Sequence, residues 1–230
     1  MPPVDIVPTL PGLVAAEMLD APLAGLAWLL LEDGIPVLVC APGQDARDTL
    51  LEALVRALPA HRQPVQAAPL PGRLVRVAAP LALATPPGAL RAALAATTGR
   101  SGLAATIEAL DLAEVLGVLR RQGLTDDEIS FLGVVLVLGS EDEGAGPRGF
   151  ARVVAAHYLR PVARDVGGHI QRLGPAVLAT WDPRRRGYDH FAWGIYPELA
   201  ARTGRRAGDL ERAHTERSER LQPEGSRGPG

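Results

Sequence analysis

Lysine is absent from this chain of 230 residues, so all 24 of its basic side chains are arginines. With alanine, arginine, glycine and proline abundant, that bias reads as a coding preference and carries no functional signal. A single cysteine, Cys40, excludes an internal disulfide and fits a reducing compartment. Aromatic residues make up only 4%, so leucine, valine and alanine must fill the core. No apolar run approaches the roughly 20 residues that span a bilayer; the longest is Leu23–Leu31. The opening MPPVDIVPTL has no basic run and is broken by prolines, which argues against a secretory leader. The net charge of −2 gives no overall pull toward nucleic acid or a membrane surface. A cytoplasmic protein is expected, at most peripheral to a membrane complex.

Acidic residues are also missing from one long stretch. Between Ala53 and Ile107 there is no Asp or Glu, while Arg56, Arg62, Arg73, Arg76, Arg91 and Arg100 all fall there. The stretch is either a scatter of solvated arginines or a basic face for an acidic partner or a phosphate.

What is present is a 47% hydrophobic, 22% charged chain, enough for a buried core. Residues 1–20 are punctuated by proline and read as a loosely packed lead-in. Pro22–Asp33 reads as a helix that stops at Gly34. Ile35–Cys40 is apolar throughout and reads as a buried strand. Ala41–Arg47 reads as a turn-rich loop. A helix follows over Asp48–Leu58, with Leu50, Leu51, Leu54 and Leu58 on one face. Asp45 or Asp48 is expected to cap it. Leu74–Ala79 and Gly102–Ile107 read as strands, and Gly88–Thr97 as a helix. Leu112–Gln122 is a periodic helix. Thr125 and Glu128 spell a capping box ahead of a short helix. Gly133–Leu138 is a further all-apolar strand. Strands alternating with helices over 21–140 argue a mainly parallel α/β sheet.

Beyond Gly139 the texture changes. Residues 140–149 form an acidic, glycine-rich linker. The segment 150–204 reads as an antiparallel β appendage ending in a short helix over Pro197–Arg202. Val177, Ala179 and Trp181 alternate there, and Trp181 and Trp193 are expected to pack it. Residues 205–230 read as a charged helix or tail, disordered at its end.

The segment Ile35–Leu58 has the strand–loop–helix frame of a phosphate-binding loop, G-x-x-x-x-G-K-[S/T]. Its positions are filled by Ala41, Pro42, Gly43, Gln44, Asp45, Ala46, Arg47, Asp48 and Thr49. Ala41 and Ala46 stand at the two glycines, Arg47 at the lysine and Asp48 at the Mg²⁺-binding hydroxyl. Arg47 keeps a positive charge, but its planar fork is not a compact ammonium. Asp45 and Asp48 place negative charge where a polyphosphate would sit.

Leu29–Pro59 resembles the core of the type II/type IV secretion ATPases, the RecA-like P-loop motors of secretion and pilus assembly. There a helix, a strand, the loop (typically GPTGSGKTTLL) and a helix follow in this order. Gly102–Leu116, GLAATIEALDLAEVL, resembles the stretch around that family's histidine box, typically ATIHA before a helix. The resemblance covers roughly residues 20–140, and it implies a RecA-like α/β core in a ring-forming protein. Three working groups of the family are replaced: the loop lysine, the acidic residue expected after the second strand, and the histidine, where Glu108 stands. The resemblance therefore implies a degenerate member, a pseudo-ATPase without cofactor. Such a subunit would act on protein partners, whether secretion or pilus-type machinery or an active paralogue. The alternative is an atypical ATPase that binds ATP and Mg²⁺ through Arg47, with Glu108 or Asp48 at the metal. A third reading is an unrelated α/β protein whose loop frame is accidental.

Other patterns are weaker. Gly144, Gly146 and Gly149 spell G-x-G-x-x-G, but an acidic run precedes them, which suits a linker better than a dinucleotide site. His157, His169 and His190, with Asp165 and Asp189, could ligate a metal, though their spacing follows no ligand pattern. Cys40 reads as a core thiol rather than a nucleophile. Arg184, Arg185 and Arg186 mark a turn tip that could meet an anion. No G-x-S-x-G elbow occurs.

Overall fold

The structure, a computed structural model, describes residues 8–64, 73–77, 81, 88–97, 102–140, 151–164, 167 and 169–223. Two short helices' worth of sequence opens it: α1 (Leu10–Ala15) and α2 (Ala21–Glu32) precede the first strand, β1 (Val37–Cys40). Then come α3 (Gln44–Ala57), β2 (Val75–Arg76), α4 (Ala89–Ala96) and β3 (Leu103–Ile107). Next follow α5 (Leu112–Arg121), α6 (Asp126–Ser130) and β4 (Val134–Ser140). The C-terminal part holds β5 (Ala151–Tyr158), β6 (Ala163–Arg164), β7 (Ile170–Gln171), β8 (Ala176–Asp182) and β9 (Gly187–His190). A 3-10 turn (Ala192–Ile195), α7 (Tyr196–Thr203) and α8 (Ala207–Leu221) end it.

Seven strands form one sheet in the order β2-β3-β1-β4-β5-β8-β9, with β6 and β7 as a separate ribbon. The chain is thus α/β, with β2, β3, β1 and β4 mutually parallel. The remaining pairings, β4 with β5, β5 with β8 and β8 with β9, are antiparallel. The expected appendage is corrected on this point. Its antiparallel strands continue the parallel sheet, joined along the whole of β4 from Val134 to Ser140.

The strands that the sequence shows as unbroken apolar runs are buried on both faces, as parallel strands must be. Val37 and Val39 point to one core with Leu29, Leu30, Leu50 and Leu54, while Leu38 and Cys40 point to another with Val115 and Leu119. Helices α1, α2, α3, α7 and α8 cover the first face, and α4, α5 and α6 cover the second. The capping box forms as read: Thr125 Oγ1 accepts from the Glu128 N–H, and Glu128 accepts from the Thr125 N–H at 2.7 Å. Gly133 closes a tight junction at φ +76°, where an added Cβ would lie 2.4 Å from Ile35.

Several expectations need correction. The lead-in is packed from residue 8 onward: Leu10, Leu13, Val14 and Leu19 are buried, and Thr9 caps α1. The strand expected over Leu74–Ala79 is only two residues long, and 78–80 lie outside the described residues. The C-terminal helix is no loose tail through residue 223, because α8 lies against α2 with Leu210, Ser218 and Leu221 buried. Trp193 does not pack the sheet; it is 73% exposed, the most exposed large apolar side chain among the described residues. Trp181 does pack, edge-on to Tyr188 at 5.2 Å and beneath the Arg152 guanidinium.

Candidate functional site

The candidate site lies where β1 hands over to α3, at the C-terminal ends of the parallel strands. That edge is where open α/β sheets bind ligands. The strand β1 lies within the sheet, flanked by β3 and β4. Its last residue, Cys40, is fully buried.

The link between β1 and α3 is three residues long, Ala41–Gly43, and the helix begins at Gln44. This corrects the loop expected over Ala41–Arg47. Gln44, Asp45, Ala46, Arg47, Asp48 and Thr49 all stand in the first turns of α3 rather than in a loop. The reason is local. Gly43 takes the extended cap conformation at φ −86°, and helix-favouring residues follow at once. No residue from 41 to 49 has a positive φ. The left-handed backbone that a glycine would permit at position 46 is not adopted, so Ala46 meets no strain. A loop this short leaves too few backbone N–H groups to wrap a phosphate.

Neither aspartate caps the helix, which is a second correction. Gly43 is the cap and carries no side-chain bond. Asp45 lies exposed in the first turn, where a carboxylate suits the positive end of the helix dipole. Asp48 accepts from Gln44 Nε2 at 3.1 Å.

Arg47 turns inward. It is 3% exposed, and its NH1 donates to the Ala41 carbonyl at 2.6 Å. Its Nε is buried without an acceptor. The guanidinium thus braces the junction from beneath.

The neighbouring strand end gives the other half of the site. Ala41 N–H donates to the Ile107 carbonyl, which ties the link to β3. Glu108 follows, exposed, with its N–H on the Leu81 carbonyl. Asp111 caps α5 by accepting from the Glu114 N–H at 2.8 Å. Burial above all, with Asp111 and Glu114 nearby, pushes the Cys40 thiol up to about 12, against the pull of Arg47. It is protonated and inert.

Beside these residues opens a cleft of about 340 Å³, lined by Gln44, Asp48, Glu52, Arg76 and Thr106 among others. Arg76 ends β2 where an acidic residue was sought, and it pairs with Glu52 at 2.6 Å. Burial raises the Glu52 carboxyl, but Arg76 and Arg56 outweigh it and hold it below the usual carboxylate range. Arg76 in the lining is committed to Glu52, which Arg56 also holds, so it is not free for a triphosphate.

The basic stretch also resolves. Arg56 and Arg76 bind Glu52, Arg62 binds the Glu32 carbonyl, and Arg73 binds the Ala60 and Gln63 carbonyls. Arg91 reaches the Gly123 carbonyl and Glu128. These arginines are internal ties, not a free basic face; Arg100 lies outside the described residues. At the turn tip, Arg185 is held by Asp182 and Asp189, and Arg186 faces Glu17.

No group of three or more possible metal ligands occurs among the described residues. His157 sits on β5 opposite Val135 and Val177. His190 reaches Asp20 instead, at 2.7 Å. His169 is exposed. Asp165 and Gly144, Gly146 and Gly149 lie outside the described residues. No helix among the described residues is long and apolar enough to cross a membrane.

Two features escaped the sequence. One is the exposed aromatic pair Phe191 and Trp193, at 44% and 73% exposure. The other is the pair of histidines, His190 and His214, that both reach the start of α2. Nothing in local spacing signals either one. Compared with known proteins, the chain matches no family model. No curated protein matches it either.

Proposed function

We propose that the chain is a non-hydrolysing protein built on a RecA-like, secretion-ATPase-like frame, and that it works by binding other proteins. One observation carries this reading. The side chain at the lysine position, Arg47, is buried and spent on the Ala41 carbonyl at 2.6 Å. Phosphoryl transfer relies almost wholly on positioned positive charge and a metal held by acids. Here the cation faces inward, the link is three residues long, and the arginine lining the adjoining cleft is paired with Glu52.

The placement of β1 inside the sheet, with a helix leaving its C-terminal end, supports the motor frame over an accidental one. Exposed apolar side chains support the binding role. Leu110, Phe131 and Trp193 are 61%, 57% and 73% exposed, and aromatic anchors dominate protein interfaces. Partners would be secretion or pilus-type machinery, an active paralogue or further copies of the chain.

A second reading keeps nucleotide binding through Arg47. It is favoured by the Arg47 Nε, which is buried without an acceptor. Titration with a fluorescent ATP analogue and Mg²⁺ separates the two. The pseudo-ATPase shows no saturable signal; the alternative shows saturation that an Arg47→Ala variant abolishes.

A further inference from the structure

We propose that α8 is a releasable strap over α2, opened by protonation of His214. The contact between these helices is unusual in what holds it. Helix α2 is apolar nearly all round, with nine of its residues buried: Ala21, Leu23, Ala24, Gly25, Leu26, Ala27, Leu29, Leu30 and Leu31. Helix α8 is polar nearly all round, and only Leu210 and Leu221 anchor it as fully buried apolar residues. Where the two cross, Gly25 meets Ser218; a Cβ on Gly25 would lie 2.9 Å from the Ser218 hydroxyl. The helices therefore approach closely through small residues at this point.

Polar fasteners supply the rest. Arg217 pairs with Glu32 at 2.8 Å and lies over the Trp28 ring. Just before α8, Arg205 pairs with Asp33. His214 fastens the other end: its Nε2 donates to the Pro22 carbonyl at 2.7 Å. That carbonyl can only accept, so the proton sits on Nε2. Nδ1 is left to accept from the Tyr196 hydroxyl, 2.6 Å away on α7. In this neutral form both ring nitrogens are satisfied.

A second proton on the ring alters this arrangement. It turns Nδ1 into a donor, so the Tyr196 hydroxyl must turn from donating to accepting. It also puts a cation at the first turn of α2, the positive end of that helix's dipole. The charged and titratable groups around His214 are few. From the α2 cap comes Asp20, which already binds His190 of β9. From α7 comes Tyr196, which Glu211 of α8 faces, and from α8 itself comes Arg217. Arg217 and His190 oppose a new positive charge, and the Asp20 carboxylate that favours it already binds His190. Burial disfavours the charged ring more than any of these neighbours does. Release of α8 would bare Trp28 and the apolar flank of α2.

Hydrogen–deuterium exchange of the full chain, read by mass spectrometry and corrected for intrinsic rates, tests this at about pH 7.5 and about pH 5. Amides of 210–221 and of the first turns of α2 should lose protection several-fold at the lower pH, while β1 and β4 keep theirs. In a His214→Gln variant, whose neutral amide can still donate to Pro22, the difference should vanish. If α8 is equally protected at both pH values, or opens only together with β1 and β4, the strap is not there. Persistence of the effect in the glutamine variant overturns the assignment to His214. Should that variant not fold, the wild-type comparison alone decides between release and no release.

Discussion

The guanidinium of Arg47 donates to the carbonyl of Ala41, six residues earlier in the chain and 2.6 Å away. Arg47 is 3% exposed, so its remaining donors reach a ligand only if the side chain leaves that loop. It has no carboxylate within salt-bridge reach among the described residues, so the charge itself is costly. Replacing it by a group of similar volume and no charge should be cheap. Arg47→Met also orphans the Ala41 carbonyl but removes the uncompensated charge, and is expected to cost no more than about 1–2 kcal/mol. Arg47→Ala leaves a cavity and an orphaned carbonyl and should cost about 2–4 kcal/mol. Urea denaturation checks both, and a large loss in the methionine variant would show that the charge has a partner.

Gly133 precedes β4 at φ +76°, and a Cβ there would meet Ile35 at 2.4 Å and the Pro36 carbonyl at 2.8 Å. Both the conformation and the space demand glycine. Gly133→Ala should cost more than about 3 kcal/mol. Thermal unfolding with a change below about 1 kcal/mol would mean that the β4 entry relaxes freely.

His157 is pushed below the ordinary histidine value by burial alone. Its folded form therefore resists protonation, while the unfolded chain takes up a proton near the reference value of 6.5. The stability it contributes is fully present above that reference value. It is lost as pH falls from there toward the depressed folded value. The urea midpoint should fall over that window, and a His157→Leu variant should show a shallower fall. An equal slope in the variant would assign the acid sensitivity elsewhere.

Cys40 is fully buried with its thiol raised to about 12, so it holds no thiolate at neutral pH. A thiol reagent should leave the native protein unlabelled for hours and label it once denaturant is added. Rapid labelling of the native chain would show that the β1–α3 junction opens.

Trp193 is 73% exposed, whereas Trp181 packs against Tyr188 under Arg152. Trp193→Ser should change stability by less than about 0.5 kcal/mol. Trp181→Ala should cost about 3 kcal/mol, toward the low end for large aromatics because it is only partly buried. If Trp193 serves a partner, its loss weakens co-purification while the fold stays intact; an unfolded Trp193 variant would instead give it a structural role.

How far the sequence carried the fold depends on the range of the signal. The capping box at Thr125 and Glu128 and the periodic face of α5 are local, and both form as read. So do the apolar strands β1, β3 and β4. The start of α3 is illegible because Gly43 caps it without a side chain, and the acidic residues after it mimic caps. The consequence falls at the site, where three linking residues resemble a seven-residue loop in the sequence. The joining of the antiparallel strands to β4 was illegible because pairing partners lie far apart in sequence. Helix α8 carries no apolar stripe, so its docking through His214 and Arg217 onto α2 could not be read from periodicity.

The most direct test of the central claim is a crystal soaked with a non-hydrolysable ATP analogue and Mg²⁺ at millimolar concentration. The turn at Ala41–Gly43 should stay free of analogue, with Arg47 still on the Ala41 carbonyl. An analogue seated against that turn, with the Arg47 guanidinium swung out onto its phosphates and a magnesium ion beside Asp48 or Glu108, would contradict it.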